Sequence, residues 1–182
     1  MAIVEIKYTD IYILIRCDGM RDKTACFTGH RKIVSEQQRI VAERLKQTVE
    51  KLILNGYCYF GAGGALGFDT LAAECVLYLK KQYPQIKLIL VLPCKTQTRG
   101  WDSEDIAIYE QIKAQADKVV YTSEEYTRGC MFKRNRHLVD NSSVCIAYLI
   151  ESKGGTAYTV NYAKQKKIQV INLAEREPDN LL

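Results

Sequence analysis

Proline is scarce, with 3 residues in 182, and Gly is ordinary at 11. That argues against a disordered or fibrous chain. No stretch reaches the roughly 20 apolar residues that a transmembrane helix needs. Glu5, Lys7, Asp10, Arg16 and Asp18 interrupt the start of the chain, which leaves no apolar run of signal-peptide type. The seven cysteines, at 17, 26, 58, 75, 94, 130 and 145, are odd in number, and no pair is closer than nine residues. There is no CxxC and no Cys/His pair at metal spacing, so no metal site and no disulfide framework is expected. Segments such as Ala25-Cys26-Phe27 and Val144-Cys145-Ile146 present Cys as a small buried hydrophobe. Free thiols in this number point to a reducing, cytoplasmic setting. The charge excess is small: 26 Lys+Arg against 21 Asp+Glu gives +5. Anionic small ligands suit that balance. A nucleic-acid footprint needs a basic stripe with interleaved aromatics, and the densest run (Lys164, Lys166, Lys167) sits late in a helical stretch, where cations suit the helix dipole. Nucleic acid is therefore not the expected partner, nor is a membrane.

What remains is enough for one domain of about 150 residues, with 47% hydrophobic residues to build its core. Residues 1–23 read as an N-terminal extension whose Ile11-Tyr12-Ile13-Leu14-Ile15 run suits an edge strand, with Met20 as an alternative start. The domain proper is expected over 24–174, and 175–182 as a polar, fraying tail. Between them strand-like and helix-like patterns alternate. Strands are expected at 24–28, 57–62, 86–92, 118–121, 143–149 and 168–173, and helices at 35–54, 68–82, 105–116, 132–140 and 156–166. The helix at 35–54 carries Ile40, Val41, Leu45, Val49, Leu52 and Ile53 on one side, with Ser35 and Gln38 placed for a capping box. The unbroken apolar run at 86–92 fits a strand buried on both faces of a parallel sheet. Alternation with short connections predicts an α/β, doubly wound, Rossmann-like, mostly parallel sheet with helices on both faces.

Ligands of such sheets bind beyond the carboxyl ends of the strands. Three strand ends bear glycine there. The first is Thr28-Gly29-His30-Arg31, where glycine lets a ligand approach and the next two side chains can meet an anion. The second contains Gly63, Gly64, Gly67 and Asp69 ahead of a helix. Its G-x-G-G-x-x-G spacing, after the second strand and with no acid about 20 residues on, is not a dinucleotide fingerprint. It still offers a helix N-terminus to a phosphate. Asp69 suits either a ribose hydroxyl or the helix cap. The third is Gly154-Gly155-Thr156, with Thr156 as an N-cap. Gln97 and Trp101 lie in a polar loop where Trp101 could stack on a base or plug the loop from beneath. In the segment 131–140, Arg134 and Arg136 are two apart and cannot share a face, so at most one meets a ligand, beside Asn135.

Together, Thr28-Gly29-His30-Arg31, Gly63-Gly64…Gly67-x-Asp69, Pro93…Gln97…Trp101, Met131-x-x-Arg134-Asn135, Val139-Asp140-x-Ser142 and Gly154-Gly155-Thr156-x-x-Thr159 resemble the YpsA-like branch of the SLOG superfamily. That superfamily also holds the LOG-type phosphoribohydrolases and the DprA/Smf proteins. The resemblance implies a Rossmann-like sheet that binds a nucleotide or nucleotide-derived small molecule, ADP-ribose-like compounds included, in a sensing or regulatory role. It requires no cofactor. It also implies pairing into a homodimer. LOG-type enzymes cleave the bond between base and ribose 5′-monophosphate, and Arg134 matches their catalytic arginine. Their second catalytic segment carries a Glu that is missing here, where the chain reads Gly154-Gly155-Thr156-Ala157-Tyr158-Thr159. A carboxylate near a developing oxocarbenium ion stabilises it. Without that Glu, ligand binding is favoured over phosphoribohydrolase activity, with Asp69 or Asp140 as substitutes that the sequence does not place. DprA-like binding of single-stranded DNA is the remaining alternative.

Overall fold

Apolar runs of four to six residues, set between longer amphipathic ones, produce six strands and five helices in strict succession among the described residues. The computed structural model describes residues 20–175. A short 3-10 turn, Arg21–Lys23, leads into β1 (Thr24–Gly29). Then follow α1 (Ser35–Leu54), β2 (Tyr59–Ala62), α2 (Phe68–Lys80), β3 (Lys87–Leu92), α3 (Ser103–Gln115), β4 (Lys118–Tyr121), α4 (Cys130–Asp140), β5 (Val144–Tyr148), α5 (Gly155–Gln165) and β6 (Gln169–Asn172). The expected edge strand at Ile11–Ile15 and the expected fraying tail, like Cys17, lie outside the described residues.

All strand pairs are parallel, in the order β4-β3-β2-β1-β5-β6. The chain builds outward from β1 to β4, then returns to lay β5 on the other side of β1. The order therefore reverses between β1 and β5, and a crevice opens there. Side chains alternate between the two faces with the period of two that a strand imposes. Ala25, Phe27, Phe60, Leu88, Leu90 and Ile146 face α1, α2 and α3 in the larger core. Cys26, Val91 and Cys145 face Leu138, Val139 and Ala163 of α4 and α5 in the smaller one. Helices thus cover both faces, as a doubly wound fold requires.

Cys26, Cys94, Cys130 and Cys145 are free and buried, as the apolar segments around them predict. Cys75 is free and partly buried, and burial with nearby Glu50 pushes its thiol up to about 12, so it stays protonated and inert at neutral pH.

Two expected caps are corrected. Val34, not Ser35, holds the N-cap of α1, and no side chain caps it. Ser35 is already the first helical residue, so the capping box with Gln38 does not form. Gly154, not Thr156, is the N-cap of α5. Helix α3 begins earlier than its apolar pattern indicates, because Asp102 accepts the Asp105 amide at 2.9 Å and so caps it.

At the amino-terminal side of the sheet, Asp117 accepts from the Leu88 amide (2.9 Å), Lys80 (2.7 Å) and Lys87 (3.2 Å). Burial alone would raise this carboxyl. The lysine and amide hydrogen bonds outweigh it and hold the group below its ordinary 3.8. Asp117→Asn is expected to lower stability at pH 7 by about 1–2 kcal/mol, measured as a urea midpoint. Because the folded-state value is lowered, the stabilisation is complete above 3.8 and fades as pH falls through the folded value. Wild type and variant should therefore converge in acid.

Candidate functional site

At the end of β1 the chain passes directly under the start of α2. The Phe68 amide donates to the His30 carbonyl at 3.2 Å. Gly67 sits at φ +75°, and a Cβ there would lie 2.2 Å from the Arg31 carbonyl oxygen. Only glycine satisfies both conditions. Gly63 is shaped by a different neighbour: a Cβ on it would lie 1.2 Å from Nη1 of Arg134. The glycines before α2 thus make room for other parts of the protein, and one amide of that helix terminus, that of Phe68, is taken by the chain itself.

The side chain that fills the space at Gly63 comes from α4. Arg134 is buried, and its Nη1 lies 3.2 Å from Oδ2 of Asp69, itself buried in the first turn of α2. The same oxygen accepts the Ala65 amide at 3.3 Å. Desolvation works against both charges: it pushes the Asp69 carboxyl up and the Arg134 guanidinium down, and each is the chief charged compensation of the other. Nε of Arg134 is buried and has no hydrogen-bond partner. Arg136, two residues on, is exposed, so one arginine of the pair faces inward, as helical spacing predicts. Asn135 donates to Thr159 Oγ1 at 2.7 Å, and that hydroxyl donates to the Gly155 carbonyl at 2.8 Å, which ties α4 to the first turn of α5.

Helix α5, like α2, starts from a glycine at positive φ without a side-chain cap. Its N-cap Gly154 has φ +95°. Nothing lies within 4 Å of a Cβ built on Gly154 or Gly155. The first-turn amides of a helix have no intrahelical acceptor, and Gly155 and Thr156 of this turn border a cavity of about 290 Å³, lined also by Phe27, Thr28, Gly29, His30, Arg31, Ala65, Asp69, Met131, Arg134 and Asn135. It lies at the carboxyl end of β1, beside the reversal in strand order.

The structure thus gathers nine of the fifteen residues expected at the site: Thr28, Gly29, His30, Arg31, Asp69, Arg134, Asn135, Gly155 and Thr156. Gly154 adjoins them as the N-cap. Gly63, Gly64, Gly67, Gln97 and Trp101 do not line the cavity. Gln97 donates to the Gly63 and Gly64 carbonyls at 3.2 and 2.7 Å and so braces that loop. Trp101 packs edge-on against Tyr109 at 5.6 Å, beneath the loop. Phe27, Ala65 and Met131 were not expected. Met131 had a signal, since it lies three residues before Arg134 on the same helix face.

The YpsA family model, described as the YspA SLOG family, matches residues 26–175. The chain belongs to this family. It is 34% identical to the SPbeta prophage-derived protein YoqJ of Bacillus subtilis (strain 168) over 136 residues, 68% of this chain and 80% of that protein. A UPF0398 protein of Bacillus thuringiensis (strain Al Hakam) is 28% identical over 72% of this chain and 73% of its own length. Among solved structures, DNA processing protein A of Helicobacter pylori superposes with a TM-score of 0.64 at 21% identity, over 88% of this chain and 68% of that one. Its counterpart from Streptococcus pneumoniae gives 0.60 at 16%, over 88% and 50%. These likenesses establish the shared Rossmann-like fold. The Helicobacter protein is described by its single-stranded DNA binding mode, so the expectation against nucleic acid has no support from these neighbours. No helix among the described residues is long and apolar enough to cross a membrane.

Removing one member of a buried pair strands the other charge, at a cost of about 3–5 kcal/mol. Asp69→Leu is expected to destabilise by that amount in urea titrations. The double variant Asp69→Leu/Arg134→Met should recover most of the loss, and a strictly additive double variant would show that the two side chains are not coupled.

Proposed function

We propose that the cavity binds the phosphate-bearing part of a nucleotide-derived small molecule. The observation that carries this reading is Arg134. It is a buried guanidinium with one contact to Asp69, an unpartnered Nε and, across the same cavity, an uncapped helix terminus. The residue lines the cavity, and a guanidinium compensated by a single carboxylate favours an anion beside it. The charges agree. Arg31, exposed at the rim, and Arg134 against Asp69 give 2 − 1, a net +1 for an anion to meet. The α5 dipole adds in the same sense. Phe27 and Met131 supply apolar wall for a sugar or base. A cavity of about 290 Å³ is at the lower end of the ligand-site range. It suits one ribose-phosphate unit, and a larger ligand such as ADP-ribose would project from it.

The test is a thermal-shift panel of adenosine, ribose 5-phosphate, AMP, ADP, ADP-ribose, NAD and guanine nucleotides. Saturation at 100 times Kd adds about 2.7 kcal/mol, several degrees for a chain of this size. Phosphate-bearing compounds should shift Tm and adenosine should not. Arg31→Ala, a change at the exposed rim, should weaken binding about tenfold. A panel without any shift, or with equal shifts for adenosine and AMP, refutes the reading. Short single-stranded DNA belongs in the panel because of the DprA likeness. Salt-dependent DNA binding that AMP fails to displace would replace the small-ligand reading.

A second reading, nucleoside 5′-monophosphate hydrolysis, gains one observation. The carboxylate missing after Gly155 has a counterpart in the cavity wall, namely Asp69. Asp140 is no substitute: it is exposed and engaged with the Tyr162 hydroxyl and Lys166. In this reading Asp69 would face the anomeric carbon as the base departs with a proton and water adds to the sugar. Incubation with nucleoside monophosphates should then release free base, and Asp69→Asn should abolish release in protein that still unfolds cooperatively. Intact nucleotides after prolonged incubation exclude it.

A further inference from the structure

The uncapped terminus of α5 reaches the cavity on a loop that packing does little to hold. Ile150 is 48% exposed, and residues 151–155 are exposed as well. Two side chains from other strands hold it instead. Asn172, at the end of β6, accepts the Leu149 amide through Oδ1 and donates to the Leu149 carbonyl through Nδ2, both at 3.0 Å. His30, just beyond β1, accepts the next two amides through one atom: Nε2 lies 3.1 Å from the Ile150 nitrogen and 3.3 Å from that of Glu151. Its own carbonyl receives the Phe68 amide, and its ring meets the edge of Tyr148 at 6.1 Å. One residue thus joins the end of β1, the start of α2 and the loop before α5.

We infer that His30 is a positioning residue of the site. Its neutral imidazole, accepting at Nε2, holds the β5–α5 loop so that Gly155 and Thr156 stay in the cavity wall with Arg134. The consequence for ligand rests on the phosphate reading above; the latch itself does not. A neutral imidazole has one acceptor and one donor nitrogen. Two backbone N–H groups aimed at Nε2 make it the acceptor, so the proton is on Nδ1. An imidazolium has no acceptor and cannot make either bond. The sequence reading placed His30 against the ligand. The geometry gives its accepting nitrogen to the loop, and what it contributes to binding is the placement of the α5 amides.

Three measurements decide this. The chain holds only two histidines, so ¹⁵N imidazole spectra of the wild type are assignable by comparison with His30→Gln. His30 should show the Nδ1–H tautomer, and an Nε2–H tautomer overturns the inference with no variant needed to fold. Amide exchange comes next. His30→Phe keeps a ring against Tyr148 but has no acceptor, and it should speed exchange at Ile150 and Glu151 about tenfold or more. In His30→Gln the amide oxygen reaches the Nε2 position, and exchange at both residues should stay slow. Equal exchange in the two variants overturns the inference. The third is the affinity for ribose 5-phosphate and AMP, which should fall about tenfold in His30→Phe and recover in His30→Gln. Unchanged affinity in a His30→Phe protein whose loop amides exchange fast removes the positioning role. If wild type binds neither compound, the phosphate reading fails, and the tautomer and exchange data still decide the latch.

Discussion

The contact on which the site depends is the buried ion pair between Arg134 and Asp69. Taking a guanidinium and a carboxylate out of water is expensive, and only close mutual contact with further hydrogen bonds offsets it. That requirement explains several features at once. Asp69 must stand in the first turn of α2, where the Ala65 amide also reaches it. Residue 63 must be glycine, because Arg134 occupies the space a Cβ would need. The first half of α4 must lie at the carboxyl ends of the strands, where Met131, Arg134 and Asn135 line the cavity, and the Asn135–Thr159–Gly155 chain of hydrogen bonds then sets α5 beside it. The pair joins a helix of one sheet face to a helix of the other, at the point where the strand order reverses.

Glycine performs two opposite tasks here. Before α2 it admits protein: Arg134 at Gly63 and the Arg31 carbonyl at Gly67. Before α5 it leaves an opening, with no atom near Gly154 or Gly155. A helix N-terminus attracts anions wherever its amides are free. Neither helix has a side-chain cap; at the first the Phe68 amide is satisfied within the protein, and at the second Gly155 and Thr156 border the cavity, with Arg31 and Arg134 in the same wall.

Much of this was legible before any coordinates. Every strand and helix between 24 and 173 falls within a few residues of where periodicity and turn residues place it, and Arg134 rather than Arg136 turns inward. The readings that failed share a cause. Ser35 and Thr156 are good capping residues by type, yet the backbone enters each helix one or two positions earlier. Gln97 spends its amide nitrogen on the adjacent loop, and Trp101 takes the second of its two expected roles, the plug beneath the loop, against Tyr109. In each case the local sequence states what a side chain is able to do, and the competing partner lies elsewhere in the chain.

The division follows from the range of the forces. Alternation of apolar and polar residues encodes which face is buried, and short connections encode a right-handed parallel sheet. From these the sequence alone determined the fold class and marked the strand ends that bear glycine. Only the tertiary structure decided which loop stays open. Asp69 meets a partner 65 residues away, Gln97 braces carbonyls 33 and 34 residues away, and His30 holds amides 120 and 121 residues away. Such pairings exist only after the parallel sheet has brought distant segments to the same end of the strands, and no local pattern of residues records them.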